Sequence, residues 1–322
     1  MRGSILFRSP MSPTQSSDAS PPPAAADRRF VLVSPTRDEA KTIGITIASV
    51  VGQTCRPVEW VIVDDGSTDG TSEIIAAAAA EHPWIRPLTL PPREGRSFAR
   101  VVENTTKGIE ALQQTEYAYL GLLDTDVRFE SDYFERLIAE FERDPRLGLA
   151  GGVAIDIGEP RDRLPRNRID VPGALQFYSR RCFERLGGLL PIPEGGWDGM
   201  ACAMARMRGF TTRLCTDLIV DHLKPRNIAH GGALRRKWQM GVRDHAVGYH
   251  PVFEAIKCAS RLHHAPVLLG ATAWFVGYVS AALARRPRTV PPELVRFIRH
   301  EQLSRILPWT RKSTTINVQQ TP

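Results

Sequence analysis

Five aspartates in the first half of the chain come directly after short apolar runs. Asp38 closes the segment FVLVSPTRD, and Asp64 and Asp65 follow EWVIV. Asp124 and Asp126 follow YAYLGLL. Each run has the composition of a buried strand in a parallel sheet, and ligands of such sheets bind outside the carboxyl ends of the strands. We therefore predict that these carboxylates converge on one pocket.

The DTD segment has the composition of a divalent metal site. Asp124 and Asp126 would point to opposite sides of a continuous strand, but a turn after Leu123 brings both carboxylates to one point. Two carboxylates suit a hard cation, Mg²⁺ or Mn²⁺, which keeps coordination positions for phosphate oxygens and water. The alternative is a surface turn with two solvated acids. The preceding apolar run and the other strand-end acids favour the metal site.

The segment VDDGSTDGT combines paired carboxylates with a turn into a helix. Adjacent like charges at a buried strand end are costly without a partner, so we predict that Asp65 binds a ligand. Asp69 is predicted to cap the helix that follows, with Ser67 as the alternative cap.

Asp198 lies where the segment GGWDG leads into a helical run. The helix dipole favours a carboxylate in the first turn, which makes a simple N-terminal cap one role for this residue. The other role is a general base, whose assistance to an attacking hydroxyl is worth about 10²–10⁴ in rate. The residues alone leave both roles open.

The hydrophobic pattern predicts the elements that position these acids. Strands are predicted at FVLVS, EWVIVDD, IRPLTL and YAYLGLLD, each followed by a helical stretch. LGLAGGVAIDIG and GALQFYS predict one further strand each, and TTRLCTDLIVDH predicts two short ones. Four strand–helix units predict an α/β fold with a Rossmann-like, mostly parallel sheet flanked by helices. From residue 235 the pattern is mostly helical and predicts a C-terminal helical extension.

Four segments together resemble glycosyltransferase family 2, the inverting enzymes of the GT-A fold. They are VLVSPTRDEA, VIVDDGSTDGT, LLDTDV and GWDGMACAMARMRGF, and the resemblance covers about residues 30–222. It implies a GT-A catalytic domain over residues 29–230, between a disordered leader at 1–28 and a helical region at 231–322. It also implies a nucleotide-sugar donor and a metal-dependent, inverting transfer to a hydroxyl acceptor.

The resemblance also implies roles for individual residues. Asp198 would be the catalytic base, and Asp126 with a late histidine, His222, would hold the metal ion. The alternative for His222 is a satisfied polar residue at a strand end. The remaining positions would bind the nucleotide sugar, with Asp65 facing the base: Pro35, Thr36, Asp38, Asp65, Arg96, Asp124 and Trp197.

Two positions depart from the common family pattern. Arg37 precedes Asp38 where the family often has an aromatic residue and Asn, which leaves base specificity open. Trp197 stands before Asp198 where Glu is common, and its ring either stacks on a sugar or packs in the core. Arg96, with Arg93 and Arg100 nearby, is predicted to reach the diphosphate, and the alternative is a solvated face.

Composition limits the class of protein and its compartment. The chain has 322 residues, 42% of them hydrophobic and 24% charged, which excludes fibrous and wholly disordered chains. Five cysteines without a CxxC pair argue against a disulfide scaffold and favour a reducing compartment. We therefore predict a cytoplasmic protein, associated with the inner face of the plasma membrane for the reason that follows.

The net charge of +7 is confined to the end of the chain. From residue 257 onward there are ten basic and two acidic residues, against 32 and 33 before it. The same region holds an uncharged stretch at 265–284 with basic flanks. This pattern predicts association with an anionic membrane surface, by spanning, re-entering or lying on the bilayer, with a soluble core helix as the alternative.

The function predicted from these observations is a glycosyltransferase of cell-surface polysaccharide or glycolipid synthesis, with a lipid-linked or glycan acceptor. A nucleotidyltransferase is the first alternative, but SPTRDEA lacks a glycine-rich phosphate loop. A non-catalytic carbohydrate- or membrane-binding relative is the second, and the complete set of acids argues against it. Nucleic acid is excluded as a partner, because no base-stacking or groove-reading motif accompanies the basic tail.

Overall fold

The computed structural model describes residues 27–93, 97–161, 165, 167–224 and 232–307. The predicted leader at 1–28 therefore falls almost wholly outside the described residues, and so does Arg96.

Within the described residues, eight strands form a single sheet. Their bounds are β1 Phe30–Thr36, β2 Glu59–Asp64, β3 Ile85–Thr89, β4 Tyr119–Leu123, β5 Val127–Phe129, β6 Leu147–Asp156, β7 Leu175–Ser179 and β8 Thr211–His222. The order across the sheet is β3-β2-β1-β4-β7-β6-β8-β5. The first four strands in this order are parallel, as are β6 and β8, whereas β7 and β5 run antiparallel to their neighbours.

Helices cover the sheet and continue beyond it. Their bounds are α1 Ile43–Val51, α2 Thr71–Glu81, α3 Phe98–Glu110, α4 Tyr133–Arg143, α5 Arg180–Leu186, α6 Trp197–Met207, α7 Gly232–Ala246, α8 Pro251–Ala259, α9 Leu269–Leu283 and α10 Pro292–Ile306. The prediction of a mostly parallel α/β sheet followed by C-terminal helices is confirmed.

Alternate residues of the central strands enter two separate hydrophobic cores. Leu32 and Ile62 belong to one cluster, whereas Val31 and Val63 belong to the other. All four are at most 1% exposed, because helices cover both faces of the parallel part of the sheet. This packing explains why the first strands are continuous apolar runs.

The prediction of two short strands at TTRLCTDLIVDH is wrong. β8 is one strand of 12 residues, paired along its length with β6. The pairing passes from Gly152↔Cys215 directly to Val153↔Ile219, so Thr216, Asp217 and Leu218 form a bulge in the strand. In the sequence this bulge has the pattern of a break between two strands, and the three-residue strand β5 was not predicted.

α9 packs on α7 at very short range through two glycines. A Cβ atom at Gly241 would lie 1.9 Å from the carbonyl oxygen of Trp274, and one at Gly277 would lie 2.1 Å from that of Trp238. α9 occupies most of the uncharged stretch predicted at 265–284, and several of its outward side chains are exposed. Among the described residues, we find no helix whose length and hydrophobicity would let it traverse a bilayer.

Candidate active site

Hydrogen bonds of Thr36 link the carboxyl ends of the parallel strands β1, β2 and β4. Its carbonyl oxygen accepts a hydrogen bond from the Asp65 N–H at 3.0 Å, and its hydroxyl accepts one from Thr125 at 2.8 Å. Asp65 follows β2, and Thr125 lies in the turn after β4. The predicted convergence of these strand ends on one edge of the sheet is therefore present in the structure.

Asp124, Asp126 and His222 form a cluster in which one ligand atom from each lies within 4.8 Å of the others. The turn after Leu123 supplies the two aspartates, and β8 supplies the histidine. Register explains the contact, because Val127 of β5 pairs with His222 at the end of β8 and places Asp126 beside the imidazole. The Asp126 Oδ1 and His222 Nε2 atoms are 3.6 Å apart.

The hydrogen bonding of His222 makes its outer nitrogen a suitable metal ligand. Nδ1 lies 2.5 Å from the carbonyl oxygen of Lys224. Since a carbonyl only accepts hydrogen bonds, Nδ1 carries the proton and a neutral ring keeps its lone pair on Nε2. Two carboxylates and one imidazole nitrogen are a donor set that fits a divalent cation such as Mn²⁺ or Mg²⁺.

The Asp126 carboxyl group is partly buried and has both acidic and basic neighbours. Burial raises the pKa of its carboxyl group, while His222 opposes this shift and Glu39 reinforces it. Lys224 also lowers this pKa and forms an ion pair with Glu39. Glu39 and Lys224 were not predicted as site residues, although each lies within two residues of one.

The buried Asp65 carboxylate lies among arginines rather than alone. Its oxygens lie 3.4 Å from Arg93, 3.7 Å from Arg37 and 3.7 Å from Arg100. These ion pairs explain how Asp65, only 3% exposed, is tolerated beside Asp64. Among the described residues, Arg93 donates a hydrogen bond to Asp65 Oδ1, and the two longer contacts are ion pairs. Arg93 and Arg100 were expected near the diphosphate; here they lie beside Asp65.

Asp38 and Asp69 fix the loops around this edge of the sheet. Asp38 adopts a left-handed φ of 55°, and its Oδ1 accepts a hydrogen bond from the Thr68 N–H at 3.0 Å. The N-cap of α2 is Gly70, so the prediction of Asp69 as the cap is wrong by one residue. The Asp69 carboxylate still accepts the Thr71 N–H at 3.1 Å. Pro35 is half-buried in β1, next to Thr36.

Asp198 and Asp124 bond to adjacent residues of the same short segment. The Asp198 Oδ2 atom accepts the Gly173 N–H at 3.2 Å, and the Asp124 N–H donates to the Ala174 carbonyl at 2.9 Å. The segment leads into β7, which pairs with β4. The structure thus brings the first turn of α6 and the DTD turn to the same region.

Trp197 packs beside Asp198 and is half-buried. Its ring lies against Gly173, where an added Cβ would come within 3.0 Å of Cζ2. The side chain also packs against one of the two hydrophobic cores, so core packing accounts for part of its surface. The rest stays exposed beside Asp198.

Arg243 of α7 is a further residue at this site that was not predicted from the sequence. Its Cδ would lie 3.3 Å from a Cβ atom at Gly196, the N-cap of α6, and its charge interacts with that of Asp198. No sequence motif marks it, because it lies about 45 residues away along the chain on a different helix.

Comparison with known proteins places the chain in one family. Residues 31–208, more than half of the chain, match the family model described as Glycosyl transferase family 2. Among curated proteins, the chain is 28% identical over 139 residues to the poly-beta-1,6-N-acetyl-D-glucosamine synthase of Staphylococcus epidermidis. The synthase of Staphylococcus aureus is 27% identical over the same length. Each match covers 43% of this chain and 29% of the synthase.

Solved structures share the fold. The mannosyltransferase PcManGT from Pyrobaculum calidifontis, determined with GDP-Man and Mn²⁺, aligns with a TM-score of 0.52 and 20% identity. The alignment covers 91% of this chain and 87% of that one. Staphylococcus aureus TarS aligns with a TM-score of 0.50 and 12% identity, over 88% of this chain and 53% of its own. The GT-A fold expected from the sequence is confirmed.

Proposed function

Because the chain belongs to glycosyl transferase family 2, we propose that it transfers a sugar from a nucleoside-diphosphate sugar to a hydroxyl acceptor with inversion at the anomeric carbon. The observation that carries this proposal is the convergence of Asp124, Asp126 and His222 on one point. In this proposal Asp126 and His222 hold a divalent cation, Mn²⁺ or Mg²⁺, and Asp124 contributes to the ribose and diphosphate site. When bound, such a cation neutralises the charge that develops on the leaving diphosphate.

Asp198 is the proposed general base. Two backbone N–H groups, from Gly173 at 3.2 Å and Gly199 at 2.8 Å, hold its two carboxylate oxygens in one orientation. As the acceptor oxygen attacks the anomeric carbon, its proton passes to this carboxylate, and the bond between sugar and diphosphate breaks. A single displacement of this kind inverts the anomeric centre.

The nucleoside is proposed to bind where the ends of β1 and β2 meet. Asp65 supplies acceptor oxygens for N–H groups of the base, and the neighbouring arginines fix its orientation. Pro35, Thr36 and Asp38 form the adjoining wall. Trp197 offers the exposed part of its ring to a sugar beside Asp198.

We further propose a lipid-linked or glycan acceptor and a position at the cytoplasmic face of the membrane. Support comes from the C-terminal helices, where Phe275 and Val276 of α9 are 37% and 50% exposed and Leu283 is 80% exposed. Basic side chains flank this apolar face on both sides, which suits an interface with anionic lipid. The five cysteines are free thiols, as expected in a reducing compartment.

A donor panel tests the proposal. Purified full-length protein is incubated with UDP-, GDP- and dTDP-sugars in Mn²⁺ or Mg²⁺, and release of nucleoside diphosphate is measured. We expect release from one class of donor, and its abolition by a chelator. Release of pyrophosphate from a sugar phosphate and a nucleoside triphosphate would instead identify a nucleotidyltransferase, and activity that persists in chelator would contradict the metal assignment.

A further inference from the structure

A pocket of about 660 Å³ opens between the end of α7, the C-terminal end of α9 and the helix α10. None of the residues predicted for the catalytic site lines it. We call it the arginine pocket, and five arginines line it: Arg285, Arg286, Arg288, Arg296 and Arg299.

The charge of the arginine pocket is uncompensated. No carboxylate is among its lining residues, and within the part of the chain that the structure describes none of the five arginines makes an ion pair. Guanidinium groups that share one cavity repel each other, and the repulsion is relieved when an anion enters. Arg pairs readily with phosphate, because its planar fork donates two parallel hydrogen bonds.

A buried histidine adds an unpartnered polar group to the same pocket. His245 of α7 lines it and is 9% exposed, and among the described residues its Nδ1 atom has no hydrogen-bond partner. Burial lowers the pKa of this imidazole, and Arg288, Arg299 and Arg286 act in the same direction. The ring is therefore neutral at neutral pH and can donate one hydrogen bond without adding charge.

Contacts with the backbone and with a hydrophobic core hold the lining of the arginine pocket in place. Arg299 donates from Nε to the carbonyl oxygen of Gly248 at 2.9 Å, which orients its guanidinium and leaves the terminal nitrogens for a ligand. Val290 and Val295, both at most 6% exposed, form an apolar floor continuous with a hydrophobic core.

We propose that the arginine pocket is a binding site for a phosphate group, with Arg288, Arg296 and Arg299 as its charged ligands and His245 as a neutral donor. The surroundings favour a phosphate carried by a membrane lipid, since the exposed Leu283 and the apolar outer face of α9 adjoin the pocket. This site does not depend on the proposed sugar transfer.

The test compares two variants of the full-length protein that each lose two exposed positive charges. R288Q/R296Q alters the arginine pocket, and R143Q/R146Q is the control near the end of α4, where the two arginine side chains are 72% and 81% exposed. Inorganic pyrophosphate binding is measured by calorimetry in a chelator, so that the predicted metal site cannot retain it. Cosedimentation is measured with phosphatidylcholine vesicles, with and without phosphatidylglycerol.

We expect R288Q/R296Q to weaken binding by about tenfold or more, or about 1.4 kcal/mol, while the control binds like the unaltered protein. Loss confined to vesicles with phosphatidylglycerol identifies a lipid phosphate, and loss confined to pyrophosphate identifies a soluble one. The proposal is overturned if the unaltered protein binds neither probe, or if both variants lose binding equally.

Discussion

Asp126 and His222 face each other where β5 and β8 pair, with Oδ1 and Nε2 3.6 Å apart. This distance is too long for a hydrogen bond. It does fit two ligands of one ion, because metal–ligand bonds of about 2.0–2.2 Å keep two donors less than about 4.4 Å apart. The carbonyl oxygen that fixes the Nδ1 proton strengthens this assignment.

Replacing Asp126 by asparagine keeps the side-chain shape but removes the charge that holds a cation. We expect release of nucleoside diphosphate to fall by about 100-fold or more, because metal ions supply several kcal/mol of charge stabilisation. Initial rates at saturating Mn²⁺ measure the effect. Asp217→Asn, at a side chain 73% exposed, is the charge-matched control and should retain full activity. Equal rates for Asp126→Asn and its control would contradict the metal role.

Asp198→Asn should separate donor binding from transfer. The amide cannot take up a proton, so kcat for transfer is expected to fall by about 10²–10⁴. The KM for the donor should change little, because the diphosphate and nucleoside contacts lie elsewhere. If the variant keeps the native kcat, Asp198 is not the general base and its role is that of a helix cap.

Gly241→Ala should loosen the contact between α7 and α9. Since the new methyl group would meet the Trp274 carbonyl oxygen at 1.9 Å, the helices must separate, and we expect a loss of about 1–3 kcal/mol in the free energy of unfolding. Gly44→Ala in α1 is the matched control, because no atom lies within 4 Å of its added Cβ. Urea denaturation compares the two, and equal stability would show that the contact is not tight.

Glu254 should make stability depend on pH. Burial raises the pKa of its carboxyl group, Asp244 reinforces the shift and Lys257 opposes it. The folded protein therefore holds this proton more tightly than the unfolded chain does. The contribution of Glu254 to the free energy of unfolding is greatest at low pH and falls as pH rises above about 4.3, the ordinary Glu value.

Glu254→Gln removes this ionisation and tests the sign of the effect. Relative to the unaltered protein, the variant should gain stability as the pH is raised from acid to neutral. Urea unfolding across that range measures the gain, with the exposed Glu293→Gln as control. A difference between Glu254→Gln and the unaltered protein that stays constant with pH would contradict the raised pKa.

Much of the fold follows from the sequence because the central strands are buried on both faces. Apolar runs such as the one from Phe30 to Val33 are typical of strands that helices cover on both faces, and those of β2 and β4 lead directly into acids of the candidate site. The direction of β7 and the continuity of β8 were not predictable in this way. They depend on pairing between segments distant in sequence and on a bulge formed by Thr216, Asp217 and Leu218.

The candidate site was predictable where a motif carries its own chemistry. Asp124 and Asp126 were identified from their neighbours in sequence, whereas the roles expected for Asp198 and His222 came from the resemblance to the family. Arg243 and the Glu39–Lys224 pair were not identified, because each reaches the site through packing between distant elements.

Electron spin-echo spectroscopy of bound Mn²⁺ tests the central claim most directly. We expect the full-length protein, in the presence of nucleoside diphosphate, to hold one Mn²⁺ whose spectrum shows coupling to a single imidazole nitrogen. His222→Gln should remove that coupling, and Asp126→Asn should abolish tight binding. A spectrum without nitrogen coupling, or Mn²⁺ binding unchanged in both variants, would contradict the proposal that Asp124, Asp126 and His222 form the site that binds the metal ion and the donor diphosphate.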